Sequence, residues 1–205
     1  MLSLQTIEPH TLELLRKLMA MPEMRDLRLV GGTALALQYG HRKSVDLDLF
    51  GTTKLNFDEI IRTVEPFGIV QVLNRTPHIL QLSVDDVKVD FVEYSCYDWI
   101  DNAVVEDGVV LASPKDIAAM KVNAFIGRGT RKDFVDVFEL LKHYSFAEIM
   151  NFYRTKYPDY SEYRALLSMT YFEDAEAQVM PVLFIDDDWD KMKKAIIEAV
   201  REYQR

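Results

Sequence analysis

The chain has 205 residues, 49% hydrophobic and 28% charged, a make-up that suits a soluble globular protein with enough length for one large domain or two small ones. No apolar run approaches the roughly 18 residues needed to cross a bilayer, and the start, MLSLQTIEPH, lacks the basic and then apolar pattern of a secretory leader, so no membrane role is expected. The formal net charge of −9 excludes a chain-wide attraction to polyanions, so any nucleic-acid or nucleotide site has to be a local basic patch or a metal-bridged one.

In chain order, Leu12, Leu15, Leu18 and Met19 fall at helical spacing within 10–20, and Pro22 ends that helix. Residues 27–30 (LRLV) read as a strand, Gly31-Gly32-Thr33 breaks it, and TALALQYG follows as a short helix. Residues 45–50 alternate, with Val45, Leu47 and Leu49 on one face and Asp46, Asp48 and Phe50 on the other. A helix is expected over 56–65 with Asn56 as its N-cap. Strands are expected at 69–74, 78–84 and 86–93, the last two joined at Asp85-Asp86, with a weaker pair at 103–105 and 109–111 around Asp107-Gly108. Cys96 is the single cysteine; it excludes an intrachain disulfide, fits a cytoplasmic setting, and reads as a small buried filler rather than a nucleophile. From Ser113, a cap followed by Pro114 in a first turn, the pattern is helical: to about Ile126, a break at Gly127 to Gly129, then 131–143, 145–156, 160–169 and 188–204. The aromatic stretches of this half read as core. The predicted class is α+β, with a mixed α/β part over 1–112 and a helical part over 113–205.

Asp46 and Asp48, two apart on a strand, project from one face and repel each other, and a hard divalent cation such as Mg²⁺ would resolve that repulsion. Taken alone, the pair reads as the solvated polar face of an edge strand rather than as a metal site. Ahead of it, Val30-Gly31-Gly32-Thr33 runs from a strand end into a helix start, where free backbone N–H groups and the dipole favour phosphate; the plainer alternative makes Thr33 a local N-cap. In VKVDFV, Lys88, Asp90 and Val92 share a face, so Asp90 would complete a carboxylate cluster if its strand pairs near 45–50, or else form a surface pair with Lys88. The four histidines show no metal-ligand spacing, and His41, beside the motif, reads as structural.

The stretch LVGGTALALQYGHRKSVDLDLF resembles the first motif of the AbiEii/AbiGii-type nucleotidyltransferase toxins, members of the polymerase-β-like superfamily, through Gly31, Gly32, Thr33, Arg42, Ser44, Asp46 and Asp48. Lys88-Val89-Asp90 resembles the second motif, which supplies the third carboxylate. Lys121, Arg128, Arg131, Lys132, Asp133 and Asp136 resemble the third, and Asp190 with Lys193 or Lys194 the last. The resemblance implies a polymerase-β-like mixed sheet with flanking helices, followed by a helical part. It implies transfer of a nucleoside monophosphate from an NTP to an acceptor hydroxyl with one or two Mg²⁺ ions, held by Asp46, Asp48 and Asp90. Gly31, Gly32, Thr33, Arg42 and Ser44 would bind the nucleotide with Lys121, Arg128 and Lys132. Lys121, Arg128, Arg131 and Lys132 read equally as a grip on phosphates or as a solvated face paired with Asp133 and Glu139. Asp133 also reads as a brace for Arg131 or Arg128, and Arg42 as a counter-charge to Asp46 and Asp48 without metal. The acceptor suggested by the family is a tRNA 3′ end, and the expected partner a helix-turn-helix antitoxin. A nucleotidyltransferase acting on a small molecule or protein, and a non-catalytic module keeping the fold, are the competing readings.

Overall fold

The computed structural model describes residues 1–54, 56–127 and 129–205, in two compact units. The first comprises Met1–Asp98 and Asn102–Ala112; the second comprises Trp99–Asp101 and Ser113–Arg205.

The first unit is built on a mixed sheet whose strands are β1 (Leu27–Val30), β2 (Leu47–Gly51), β3 (Val70–Arg75), β4 (Ile79–Val84), β5 (Val87–Glu93), β6 (Val104–Glu106) and β7 (Val109–Leu111). Their order is β3-β4-β5-β2-β1-β7-β6, with β2 parallel to β5 and antiparallel to β1. Alternation decides the faces. Leu27, Leu29, Leu47, Leu49, Leu80, Leu82, Val89 and Phe91 are buried on one, while Arg28, Asp48, Phe50, Gln81, Ser83 and Lys88 stay half-exposed on the other. Helices α1 (Pro9–Met19), α2 (Gly31–Tyr39) and α3 (Phe57–Val64) complete the core through Leu15, Leu18, Leu35, Leu37, Ile60 and Val64. Asn56 caps α3 as expected, in a reciprocal capping box with Glu59. Asp85 and Asp86 both take positive φ, as the two-residue hairpin between β4 and β5 requires.

Three local expectations are corrected. Strand β2 starts at Leu47, its first residue in register with β5, opposite Val89, and β1 ends at Val30 opposite Asp48. Val45 precedes the strand and is 51% exposed instead of facing the core. Thr33 lies inside α2 instead of capping it; the N-cap is Val30, which has no capping side chain. Cys96 is exposed, since it sits in the turn after β5, past the last paired residue.

The second unit contains α4 (Pro114–Gly127), α5 (Arg131–Leu141), α6 (Phe146–Lys156), α7 (Glu162–Met169), the short α8 (Glu173–Glu176) and α9 (Trp189–Tyr203). Helix α4 packs against α5, α6 and α7, and α9 packs against α5 and α6. Phe125, Phe134, Phe172 and Trp189 stack as one aromatic cluster, with ring centroids 4.6 to 5.9 Å apart. Other aromatics that read as core stand outside it: Tyr163 is 69% exposed. Among the described residues no helix is long and apolar enough to cross a membrane.

Candidate active site

Asp48 is held at the middle of the sheet. Its register partner on β1 is Val30, and on β5 it is Asp90. Side chains directly opposite each other project from the same face, and neighbouring strands lie about 4.8 Å apart. Two carboxylates thus sit side by side on the half-open face, the pairing that the sequence made conditional on β5 lying beside residues 45–50. Asp90 is 9% exposed. Its Oδ2 accepts from Gln81 Nε2 at 2.7 Å and from Lys88 Nζ at 3.0 Å, while its buried Oδ1 meets no donor. Asp46 lies just before β2 and is half-buried, and its backbone carbonyl accepts from the Thr33 hydroxyl. Among the described residues no group of three His, Cys, Asp or Glu side chains is gathered closely enough to hold a metal ion; the sheet assembles the Asp48–Asp90 pair.

The helix start beside this pair explains the two glycines. Gly31 has φ +69, a left-handed conformation that side-chain-bearing residues avoid, and a Cβ there would collide with Asp48 Oδ2. A Cβ on Gly32 would collide with Arg42 Nη2 and lie 3.4 Å from Ser44 Oγ. Asp48 and Arg42 therefore press against the backbone of the first turn of α2. Arg42 is 2% exposed and donates to the Lys43 carbonyl at 2.9 Å. Thr33 Oγ1 also lies 2.9 Å from Ser44 Oγ, which ties the helix to the loop before β2. His41 is fully buried. The pattern Gly-Gly-Thr, Arg, Ser, Asp-x-Asp is thus one connected cluster. Gly31→Ala is expected to cost about 1–2 kcal/mol in stability through the left-handed backbone and to push the Asp48 carboxylate aside. Thermal unfolding measures this, and an unchanged midpoint would contradict the geometry.

In the helical unit, Lys121 is buried and its Nζ lies 2.8 Å from Asp133 Oδ1 and 2.5 Å from Asp136 Oδ2. Asp133 also accepts from the Thr130 backbone N–H and hydroxyl, closing a capping box at the start of α5. Asp133 therefore braces Lys121. Arg131 turns the other way, donating to the carbonyls of Ala175 and Glu176 and lying 4.8 Å over the Trp189 ring. Lys132 is exposed on α5. Arg128 lies outside the described residues. Lys193 pairs with Glu176 at 2.6 Å and Asp190 at 3.0 Å.

Burial raises the Asp133 carboxyl, but the Lys121 charge and hydrogen bond, with Thr130, outweigh it and leave its pKa below the ordinary value. A lowered folded-state pKa contributes stability that is present above the unfolded-state pKa of about 3.9 and lost as pH falls through the folded one. Asp133→Asn is expected to flatten the fall in unfolding free energy below about pH 4. Urea titrations at stepped pH would show it, and an unchanged slope would remove Asp133 from the acid sensitivity.

A family profile described as "Nucleotidyl transferase AbiEii toxin, Type IV TA system" matches residues 13–204. The chain belongs to the AbiEii nucleotidyltransferase toxin family. An uncharacterized protein of Aquifex aeolicus is 32% identical to it over 197 residues, 93% of this chain and 94% of that one. Two solved structures share the fold: JHP933 of Helicobacter pylori, at TM-score 0.55 and 20% identity over 98% of this chain and 90% of that one, and MenT4, a nucleotidyltransferase toxin of Mycobacterium tuberculosis, at TM-score 0.60 and 12% identity over 93% and 81%. The AbiEii match includes both the Gly31–Asp90 cluster and the helical unit. Membership makes nucleotidyl transfer the chemistry of the family to which these residues belong.

The sequence reading missed Gln81. The two-residue turn at Asp85-Asp86 fixes the hairpin, so that Val84 faces Val87 and, counting back, Gln81 faces Asp90. That signal was present in the sequence.

Proposed function

We propose that this AbiEii-family chain transfers a nucleoside monophosphate from an NTP to an acceptor hydroxyl, with Mg²⁺ held by Asp48 and Asp90 and with Asp46 joining them. The observation that carries this is the in-register pairing of Asp48 with Asp90 beside the Gly31-Gly32 helix start.

The residues present fit the ion. All the available donors are hard carboxylate oxygens, and Asp90 Oδ1 is buried without a donor. Mg²⁺ takes one or two carboxylates and completes its shell with phosphate oxygens and water, so a carboxylate pair beside a triphosphate suffices. The bound ion would neutralise the triphosphate and lower the pKa of the attacking hydroxyl. The chain's own part is positioning. The α2 N-terminus, with no capping side chain on Val30, offers backbone N–H groups to the β- and γ-phosphates. Arg42 supplies a fixed positive charge beside Gly32. The Thr33–Ser44 contact and the hold of Thr33 on the Asp46 carbonyl keep that loop in place. In this reading Asp90 would also accept the proton from the acceptor hydroxyl. Catalysis of this kind is mostly orientation and charge neutralisation, so it requires no cysteine or histidine nucleophile.

The acceptor in this reading is a tRNA 3′ hydroxyl, and the expected partner is a helix-turn-helix antitoxin, both following from the family. A small-molecule or protein acceptor is the second reading, favoured by the net charge of −9. The test is calorimetric NTP binding with and without Mg²⁺, on the wild type and on Asp46→Asn/Asp48→Asn, followed by label transfer from each NTP to total RNA, to small hydroxylated acceptors and to protein. Binding that needs both Mg²⁺ and the carboxylates supports the enzyme, and the labelled fraction names the acceptor. No binding and no transfer under any condition would overturn it in favour of a non-catalytic module.

A further inference from the structure

The register that pairs Asp48 with Asp90 continues outward. Gln81 on β4 lies opposite Asp90, and Asn74 on β3 lies opposite Gln81. These side chains form one row across four adjacent strands, on the face that carries the carboxylates. The row is hydrogen-bonded from the sheet edge inward. Asn74 Nδ2 donates to Gln81 Oε1 at 3.2 Å, and Gln81 Nε2 donates to Asp90 Oδ2 at 2.7 Å. Lys88, two residues before Asp90 on the same face, brings Nζ to 3.0 Å from the same Oδ2. Both donors therefore take one carboxylate oxygen, and the other, Oδ1, is buried and meets none.

Two features mark this row as built. Strand β3 shifts register between Val72, opposite Leu82, and Asn74, opposite Gln81. A regular ladder would set Leu73 opposite Gln81, and leucine offers no hydrogen bond. A bulge re-aims side chains; this one brings Asn74 into the row and leaves Leu73 53% exposed. The second feature is the lone oxygen. A buried carboxylate oxygen without a donor is unfavourable, and where one is retained a ligand or other role is the expected explanation.

We propose that Asn74 and Gln81 form a positioning relay that fixes the rotation of the Asp90 carboxylate and presents Oδ1 to a divalent cation, and that Lys88 is the displaceable positive charge that balances Asp90 until the cation arrives. The inference rests on the metal-dependent reading above and assigns it residues outside the carboxylate set. An amide suits the relay because it orients a carboxylate without competing for it by charge, and Asn74 on its Oε1 keeps the donating end toward Asp90. An ammonium suits the placeholder because its stem is flexible, and the Lys88 side chain is 41% exposed, so it can leave for solvent.

The test uses the full chain with Mn²⁺ alone as the probe, free Mn²⁺ being read by electron paramagnetic resonance, and thermal midpoints recorded for every variant. Gln81→Met is expected to weaken Mn²⁺ binding about tenfold, and Asn74→Leu, at the exposed edge, to weaken it less but in the same direction. Lys88→Met is expected to tighten binding by about two- to fivefold, the range for a half-exposed ion pair. Opposite signs at two neighbours of one carboxylate are a result that general loosening of the sheet cannot produce. If Gln81→Met and Lys88→Met both match the wild type, or both shift the same way, while Asp48→Asn/Asp90→Asn abolishes binding, the relay is wrong and the metal site stands. If the wild type binds Mn²⁺ no better than Asp48→Asn/Asp90→Asn, the metal reading fails and the relay fails with it. Should Gln81→Met not fold, Asn74→Leu and Lys88→Met carry the same comparison.

Discussion

Asp48→Asn is expected to lower nucleotidyl transfer by on the order of 10³-fold or more while the fold becomes slightly more stable in metal-free buffer. The substitution keeps the shape of the side chain and removes its charge, so the register with Val30 and Asp90 has no reason to change. What is lost is one of the two charges that the central strands bring together and that the proposed reaction uses to hold the cation. In the proposed reaction, which runs on neutralising phosphate charge, the neighbouring Arg42 cannot replace it, having the opposite sign, and Asp46 lies before β2, outside the register that sets Asp48 beside Asp90. The gain in stability follows from the same geometry. Like charges directly opposite on adjacent strands destabilise a sheet by a few tenths to about 1 kcal/mol, a repulsion that Lys88, its side chain 41% exposed, offsets only in part when no ion is bound. Activity and stability moving in opposite directions is the signature of a site that holds charge against its own preference. Transfer assays and urea unfolding of the same preparation check both halves. A fully active Asp48→Asn would eliminate the proposed site, and a destabilised one would show that the carboxylate serves the fold.

The elements were legible where a local rule decides them. The Asn56 cap, the two-residue Asp85-Asp86 turn and the alternation of LDLF each rest on neighbours in the chain, and each stands in the structure. Readings that depended on a distant segment were less secure. Val45 shares the alternation of LDLF but precedes the strand and is 51% exposed, while β1 stops at Val30, where Gly31 turns left-handed. Lys121 showed as part of a basic run. That it is buried follows from Asp133 and Asp136, two carboxylates on the next helix whose approach no spacing within α4 announces. The pairing of β2 with β5 joins residues about forty positions apart and was conditional in the sequence, since a parallel pair has no turn to set its register. Once it is known, the row from Asn74 to Asp48 follows from counting, except for the bulge at Leu73, which nothing in the pattern of VQVLNR marks.

Lys156→Met is expected to destabilise the helical unit by about 3–5 kcal/mol. Lys156 Nζ lies 2.8 Å from Asp116 Oδ1, and both side chains are 0% exposed. The carboxylate is fully engaged. Its Oδ1 also accepts from the Ile100 N–H at 2.9 Å, and its Oδ2 from the Ser113 hydroxyl at 2.7 Å and the Asp101 N–H at 3.3 Å. The ammonium in turn sits 4.5 Å over the Trp99 ring. Asp116 thus gathers Trp99–Asp101, the start of α4 and the end of α6 around one charge. Removing the lysine leaves that charge buried without its counter-ion, and a folded domain has only about 5–15 kcal/mol in total. The pair itself need contribute little, because taking two charges out of water offsets most of their attraction. Hence Asp116→Asn should cost nearly as much alone, by stranding the ammonium, yet the double Asp116→Asn/Lys156→Met should cost clearly less than the sum of the two. The asparagine oxygen can keep one of the two backbone donors at residues 100 and 101, and no charge remains buried. Chemical unfolding of the four proteins gives the coupling directly. Single variants within about 1 kcal/mol of wild type would mean that water reaches the pair, and additive losses would mean that Asp116 acts through its backbone donors and not through Lys156.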